Sequence, residues 1–331
     1  MPVVLITPEA MREQPHPYVP ALLEAGFEIR YPKNPQFARG LGDAEEVVAE
    51  LQGVHASIAS GERYSREVLA RLPQLRVIAR AGVGYDRVDV SAATDHRVAV
   101  TITPTSNHEA VAELAMALLF GVTKSIVSND RRVRSGEWPR KLLMPMRGRT
   151  FGLVGLGRIG RSTALRAKAL GMRVIAYETH PLESFVREHE IELVSFDEVV
   201  ERSDFLSVHC PLTDATRGMF NRSVFSRMKP GSVFLNTARG PLMNEADLYE
   251  ALTSGHLRGA GLDVYEQEPP SPDNPLFQLD NVVLSPHLAG TDEESLVAMG
   301  VDAADCIIRL SRGEWPEGAV VNAELREGWQ W

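Results

Sequence analysis

The chain has 331 residues, long enough for two domains, and 44% of them are apolar, enough for substantial cores. Its 35 lysines and arginines face 44 aspartates and glutamates, and the net charge of −9 gives no electrostatic support to a nucleic-acid or anionic-membrane role. Only two cysteines occur, Cys210 and Cys306, far apart and without metal-ligand spacing, which argues against a disulfide scaffold or a structural zinc site and suits a reducing cytoplasm.

Met1 to Thr7 lacks a basic leader and reads as the start of a first strand, so a cytoplasmic location with no signal peptide is expected. Val3 to Ile6 predicts a buried strand, Tyr18 to Ala25 a helix ended by Gly26, and Phe27 to Tyr31 a second strand. Asp43 opens a further helix with Glu46 as its capping partner. His55 to Ala59 is strand-like, Ser65 to Leu72 is helical up to Pro73, and Arg76 to Ala79 is strand-like again. That strand runs into Arg80-Ala81-Gly82-Val83-Gly84, and a short helix leads on to the strand Val98 to Ile102. Strands and helices alternating at short intervals make about the first hundred residues a parallel α/β layer of their own.

Pro104 breaks the pattern. Ser106 and Glu109 form a second capping pair before a long apolar stretch, Ala110 to Val127. Glu113 and Lys124 interrupt it, so it predicts a helix buried at a domain or subunit interface rather than a membrane span. Residues 128–149 carry Arg131, Arg132, Arg134, Arg140, Lys141, Arg147 and Arg149. They read as a solvated connection, with a second reading in which some steer an acidic substrate.

The next stretch organises the chain. An apolar strand, Phe151 to Val154, meets Gly155-Leu156-Gly157-Arg158-Ile159-Gly160, then a helix, then the strand Val174 to Tyr177 ending in Glu178. This is the order of a dinucleotide-binding unit. Gly155 permits the tight turn, Gly157 lets backbone approach a pyrophosphate, and Gly160 lets the helix pack on the sheet. Amides at the helix start, at the positive end of its dipole, then face the phosphates. Glu178 lies 23 residues after Gly155, where a carboxylate can bind a ribose diol. The same carboxylate repels a 2′-phosphate, and neither Thr179 nor His180 is an arginine to receive one, which favours NAD over NADP.

Phe205 to His209 predicts another strand, Asn221 to about Met228 a helix, Ser232 to Asn236 a strand, and Asn244 to Ser254 a helix ended by Gly255. Ala260 to Val264 and Val282 to Leu284 are the last strands, and Thr291 with Glu294 caps a final helix running to about Leu310. Ligands of an open parallel sheet bind just past the carboxyl ends of its strands, and His209, Arg239, Asp263, Glu268 and His287 fall there. A nicotinamide enzyme needs a cation for the substrate carboxylate, which suits arginine, and a group that moves a proton near neutral pH, which suits histidine. A carboxylate beside the histidine favours its charged form and orients the ring. Singly, each of these residues also has a structural reading, as a strand-end histidine, a carbonyl-binding arginine or an exposed loop acid.

Three segments resolve that ambiguity together. Arg239 in NTARG, Glu268 in LDVYEQEP and His287 in SPHLAG resemble, in order and downstream of GLGRIG, the catalytic signatures of the D-isomer-specific 2-hydroxyacid dehydrogenases, the family of phosphoglycerate, hydroxypyruvate and glyoxylate enzymes. RAGVGYDRVD, NHEAVAELAMALL and HCPLTDATRGMFN also resemble family segments, so the likeness covers nearly the whole chain. The resemblance implies two doubly wound parallel-sheet α/β domains, with a Rossmann NAD-binding domain (residues 102–289) inserted into a flavodoxin-like substrate domain (1–101 and 290–331), the cleft between them closing over substrate. It implies that Arg239 binds the 2-oxo carboxylate and carbonyl, that His287 is the acid/base, and that Glu268 pairs with His287 and supports its imidazolium form. It places the substrate carboxylate on amides near Val83 and Gly84, a nest only a glycine-rich turn makes. Arg80 is a further substrate-binding candidate, able to hold a phosphate or simply be exposed. Gly155, Gly157, Arg158, Ile159, Gly160, Glu178, His209, Pro211, Thr213, Thr237, Ala238 and Asp263 match NAD-contacting positions, with Asp263 on the nicotinamide side. A homodimer through the cofactor domain is implied as well, and would account for the apolar helix from Ala110.

Thr105 stands where a glycine often follows the proline, which predicts a stiffer hinge; Glu178 replaces a commoner aspartate, and Asn244 replaces another while keeping its capping role. With no further domain after Trp331, feedback regulation of the kind seen in long phosphoglycerate dehydrogenases is not expected. The expected activity is NAD-dependent interconversion of a D-2-hydroxy acid and its 2-oxo acid, with no metal. The alternative is an NAD(H)-sensing, corepressor-like binding protein of the same fold. A formate dehydrogenase is disfavoured because Glu268 stands where that branch carries a glutamine.

Overall fold

A computed structural model describes residues 1–12, 16–34, 37–138 and 140–331; Pro139, inside the connection expected at 128–149, lies outside them. The chain divides into two compact units, Met1–Asn107 with Thr291–Trp331, and His108–Gly290.

The first unit holds β1 (Val3–Ile6), β2 (Glu28–Arg30), β3 (Ala56–Ala59), β4 (Val77–Arg80) and β5 (Ala99–Thr101), paired in parallel in the order β2-β1-β3-β4-β5. Its helices are α1 (Tyr18–Glu24), α2 (Ala44–Leu51), α3 (Arg66–Ala70), α4 (Val90–Asp95) and the C-terminal helix Glu293–Ser311. The strands are apolar along their length because both faces are covered. Val3, Leu5, Ile78 and Val100 pack with α2, α3 and α4 residues, while Val4, Ile6, Ile58 and Val77 pack with Tyr18, Leu22, Met299, Ala303 and Ile307 from α1 and the C-terminal helix. Gly300 is required where those two helices meet, since a Cβ there would lie 2.3 Å from the Tyr18 ring.

Two local expectations change. The C-terminal helix is capped by Asp292, whose carboxylate accepts the Ser295 amide, not by Thr291; an anion at that position also meets the positive end of the helix dipole. The boundary between the units falls after Asn107 rather than at 101. Ile102 donates to the Ala319 carbonyl and Thr103 to that of Gly82, so the segment stays bonded into the first unit.

The second unit holds β6 (Thr150–Val154), β7 (Arg173–Tyr177), β8 (Glu192–Leu193), β9 (Phe205–Val208), β10 (Val233–Asn236), β11 (Gly259–Leu262) and β12 (Val282–Leu284), all parallel, in the order β12-β11-β10-β9-β6-β7-β8. Its helices are α5 (His108–Thr123), α6 (Ile126–Arg134), α7 (Arg158–Ala169), α8 (Glu183–Glu188), α9 (Phe196–Arg202), α10 (Arg222–Arg227) and α11 (Glu245–Thr253). The stretch expected as one helix from 110 to 127 breaks at Ser125, whose φ of 49° is left-handed. Where a cap was expected, Ser106 donates to Asp302, and Glu109 accepts from Ser162 and pairs with Arg166. The apolar content of α5 is explained within its own unit, since it packs on β10, β11, β12 and α7. Glycines permit that contact: a Cβ at Gly261 would lie 2.8 Å from Leu118, and one at Gly259 2.7 Å from Val122. Among the described residues no single helix is long and apolar enough to cross a membrane, although α5 and α6 pass as a pair bent by 56°.

Register then sets the site. Tyr177, Val154, Val208, Asn236, Leu262 and Leu284 lie level across the sheet from β7 to β12. The residues that follow them, Glu178, Gly155, His209, Thr237, Asp263 and Ser285, therefore leave the sheet along one edge.

Candidate active site

The chain order reverses between β6 and β9, and the first glycine turn lies there. Gly155 has φ 102°, and a Cβ on it would sit 2.6 Å from the His209 carbonyl carbon, so both conformation and space demand glycine. A Cβ at Gly160 would lie 2.2 Å from the Gly155 carbonyl oxygen, whereas one at Gly157 would meet nothing within 4 Å. Two glycines thus close the turn and the third faces open space. Gly157 is the N-cap of α7 and contributes no side-chain cap, which leaves the first-turn amides, at Arg158 and Ile159, for an anion. Arg158 itself is exposed and Ile159 half-buried.

Glu178 is held against that turn. Its Oε2 accepts the Leu156 amide at 2.7 Å and its Oε1 the His180 amide at 3.0 Å. Partial burial opposes its charge, but the amides of His180, Leu156 and Thr179 win and hold the carboxyl below its ordinary range. After β9, His209 bonds Ser207 through Nε2 while its buried Nδ1 has no partner, and burial pushes the ring down to about 3, so it is neutral. Pro211 and Thr213 follow in an exposed loop, where the Thr213 amide donates to Thr216. Thr237 is buried with an unpartnered hydroxyl, and the Ala238 amide donates to Asn236. These residues suit a dinucleotide: an uncapped helix start, a glycine with clear space before it, a fixed carboxylate, and polar atoms without partners along the same strand ends.

The three candidate catalytic side chains leave neighbouring strands of the same unit. Arg239 follows β10, where its carbonyl accepts from Asn236 and its guanidinium donates to the Ala238 carbonyl. Gly240 after it must be glycine, because a Cβ would fall 1.7 Å from the Tyr265 carbonyl oxygen. Glu268 lies on the loop after β11 and His287 just after β12. The Glu268 Oε2 and His287 Nδ1 are 2.7 Å apart, and Glu268 Oε1 accepts the Tyr265 amide. Burial pushes the Glu268 carboxyl up, but bonding to His287 and the charges of His287 and Arg239 bring it below its ordinary range. The His287 side chain stays half-exposed.

Asp263 is fully buried, and its two oxygens accept the Leu288 and Ala289 amides at 2.9 Å each, while its carbonyl accepts from His287. It holds the backbone that carries His287. Tyr265 does the same from the other side, its hydroxyl donating to the Ser285 carbonyl. The sequence reading did not pick out Tyr265; its place between Asp263 and Glu268 was the available signal.

In the first unit, the Val83 and Gly84 amides lie in the turn after β4, and within that unit they have no acceptor among the described residues. The Arg80 side chain donates to the Gly84 and Ser60 carbonyls. Several arginines of the connection pair locally: Arg131 with Asp280, Arg132 with Glu137, Arg134 with Asp130 and Arg149 with Asp204. Among the described residues no group of histidine, cysteine and acid side chains could hold a metal.

Fold and site together define a dinucleotide-binding α/β protein with a histidine–carboxylate pair beside an arginine. The chain matches the family described as D-isomer specific 2-hydroxyacid dehydrogenase, NAD binding domain, over residues 116–289. It is 42% identical over 265 residues to a glyoxylate reductase of Korarchaeum cryptofilum, covering 78% of this chain and 80% of that one. It is 40% identical over 272 residues to a D-3-phosphoglycerate dehydrogenase of Archaeoglobus fulgidus, covering 81% of this chain and about half, 52%, of the relative's length. The crystal structure of the TT0316 protein from Thermus thermophilus superposes with a TM-score of 0.85 at 34% identity, covering 96% of this chain and 99% of that one. The chain belongs to the D-isomer specific 2-hydroxyacid dehydrogenase family, and its second unit is the NAD-binding domain of that family.

Proposed function

We propose that the chain is an NAD-dependent dehydrogenase that interconverts a D-2-hydroxy acid and its 2-oxo acid. Bound NAD supplies the chemistry of hydride exchange with the substrate's second carbon. Arg239 binds the substrate carboxylate and carbonyl, and its guanidinium polarises the carbonyl toward reduction. The Nδ1 of His287 is held by Glu268, which leaves Nε2 to give a proton to the carbonyl oxygen in reduction and to take the hydroxyl proton in oxidation. The Val83 and Gly84 amides of the first unit are suited to hold a carboxylate. Arg158, Ile159, Glu178, His209, Pro211, Thr213, Thr237 and Ala238 contact the dinucleotide, and Asp263 holds the loop on its nicotinamide side.

The observation that carries this reading is the 2.7 Å bond between Glu268 and His287, with the Arg239 charge acting on the same carboxylate. Glyoxylate and 3-phosphoglycerate, in the names of the relatives, are the first substrates to try. The test is His287→Ala: turnover of the 2-oxo acid falls by about a thousand-fold while NADH affinity stays as in the parent chain. Normal turnover of the same substrate in that variant removes His287 from the role. We further propose a homodimer, and a monomeric mass for the intact chain in sedimentation contradicts it.

A further inference from the structure

Glu62 is 0% exposed in the first unit, and a buried carboxylate is costly unless it is bonded and paired. Here it accepts from the Thr7 hydroxyl at 2.9 Å, the Tyr64 hydroxyl at 2.9 Å and the Ser60 amide at 3.0 Å. Thr7 follows β1 and Ser60 follows β3, so one side chain ties two strand ends together. Burial raises the Glu62 carboxyl above its ordinary range, and the Arg80 charge opposes that rise. Arg80 ends β4. Its Nε donates to the Gly84 carbonyl at 3.0 Å and its Nη1 to the Ser60 carbonyl, bridging the ends of β3 and β4. In the same turn Gly82, at φ 142°, exchanges bonds with Thr103, and the Ala81 amide donates to the Ala59 carbonyl. A planar guanidinium is suited to this task, because it can donate to two carbonyls in one fixed geometry.

We propose that Glu62 and Arg80 are a positioning pair that fixes the turn of residues 82–84, so that Arg80 acts on the substrate through the Val83 and Gly84 amides and does not touch it. This rests on the reading in which those amides hold the 2-oxo carboxylate. It also gives Arg80 a different role from that of a phosphate ligand. A direct ligand would matter only for phosphorylated substrates, whereas a positioning residue matters equally for every 2-oxo acid, since all present the same carboxylate.

The experiment compares the parent chain, Arg80→Lys and Glu62→Gln with one phosphorylated and one unphosphorylated 2-oxo acid. In parallel, hydrogen exchange is followed in the peptide spanning residues 81–88. Each variant is expected to raise KM about ten-fold for both acids, the loss of one charged hydrogen-bonding interaction. Turnover at saturation and NADH affinity stay unchanged, and exchange at 81–88 is faster while the rest of the chain is unaltered. An Arg80→Lys loss confined to the phosphorylated acid, or parental KM and parental exchange in Glu62→Gln, overturns the proposal. If Glu62→Gln does not fold, Tyr64→Phe, which removes one donor to Glu62 and keeps the ring, should give a smaller loss in the same direction. A parent chain that reduces no 2-oxo acid defeats the functional reading instead, and the exchange measurement still decides whether the pair fixes the turn.

Discussion

At the residue scale, the pairing of His287 with Glu268 is the feature from which the proposed chemistry follows. His287 has φ 56°, a left-handed conformation that few residues other than glycine adopt. Asp263 holds it there through the three backbone groups it accepts from, and Glu268 fixes the ring. Because the Glu268 carboxyl lies below its ordinary range when folded, its contribution to stability is present above the unfolded carboxylate range and is lost as pH falls through the folded value. Glu268→Gln removes that contribution and the carboxylate that bonds the His287 Nδ1. The variant's stability should therefore fall less on acidification than the parent's. Coincident acid melts would count against the pairing. Glu178 belongs to the same scale. Its carboxylate is fixed by two amides, so Glu178→Gln should cut the preference for NADH over NADPH at least several-fold in kcat/KM, an electrostatic discrimination of about 1 kcal/mol or more. An unaltered ratio would show that the charge does not select the cofactor. Arg239, Glu268 and His287 stood out because each follows a strand within a distinctive segment, and the structure brings Glu268 and His287 together. The anchoring by Asp263 and the burial of Glu62 were not legible, because a carboxylate's partners across the sheet leave no periodic mark in the chain.

Among the elements, the glycine turn and α7 separate structural from ligand-facing positions. Gly160 is closed in by the Gly155 carbonyl, so Gly160→Ala should cost about 1–3 kcal/mol of stability by overpacking, read from denaturant unfolding. Gly157 has clear space before it, so Gly157→Ala should fold as the parent does and lose NADH affinity. Equal melting and equal NADH affinity in both variants would remove the distinction. Most strands and helices were readable because parallel strands buried on both faces are continuous apolar runs, and Asp43, Ser65, Asn221 and Asn244 cap helices where expected. What escaped was the stretch after Glu178. The two residues of β8, Glu192 and Leu193, are both exposed and form an edge strand with no apolar signature. Helix α9 could have been found, since Ser195 and Glu198 make a reciprocal capping box. The single helix expected from 110 to 127 failed for a different reason. Apolar content continues past Thr123, while the left-handed backbone at Ser125 turns the chain, and no proline or glycine at that point announces the break.

For the whole molecule, the chain's path through two α/β units was written in its order of motifs, a first layer, a glycine-turn layer, and a C-terminal helix that returns to the first. The boundary was misplaced by a few residues because backbone bonds of 102 and 103 to Ala319 and Gly82 are tertiary and outweigh the helix-breaking effect of Pro104. With a net charge of −9, an acidic substrate must be drawn in by local arginines and amides, and this is why Arg239 and the Val83–Gly84 turn carry so much of the proposal. In the proposed reading these groups recognise only the 2-oxo carboxylate common to the class, so the substrate's identity is not written in them. The central claim is tested most directly by incubating the purified chain with NADH and a panel of 2-oxo acids and determining the configuration of the hydroxy acid formed. Oxidation of NADH in step with formation of the D isomer from at least one acid is the expected result; an L product, or no product from any acid that binds, would contradict the proposed function.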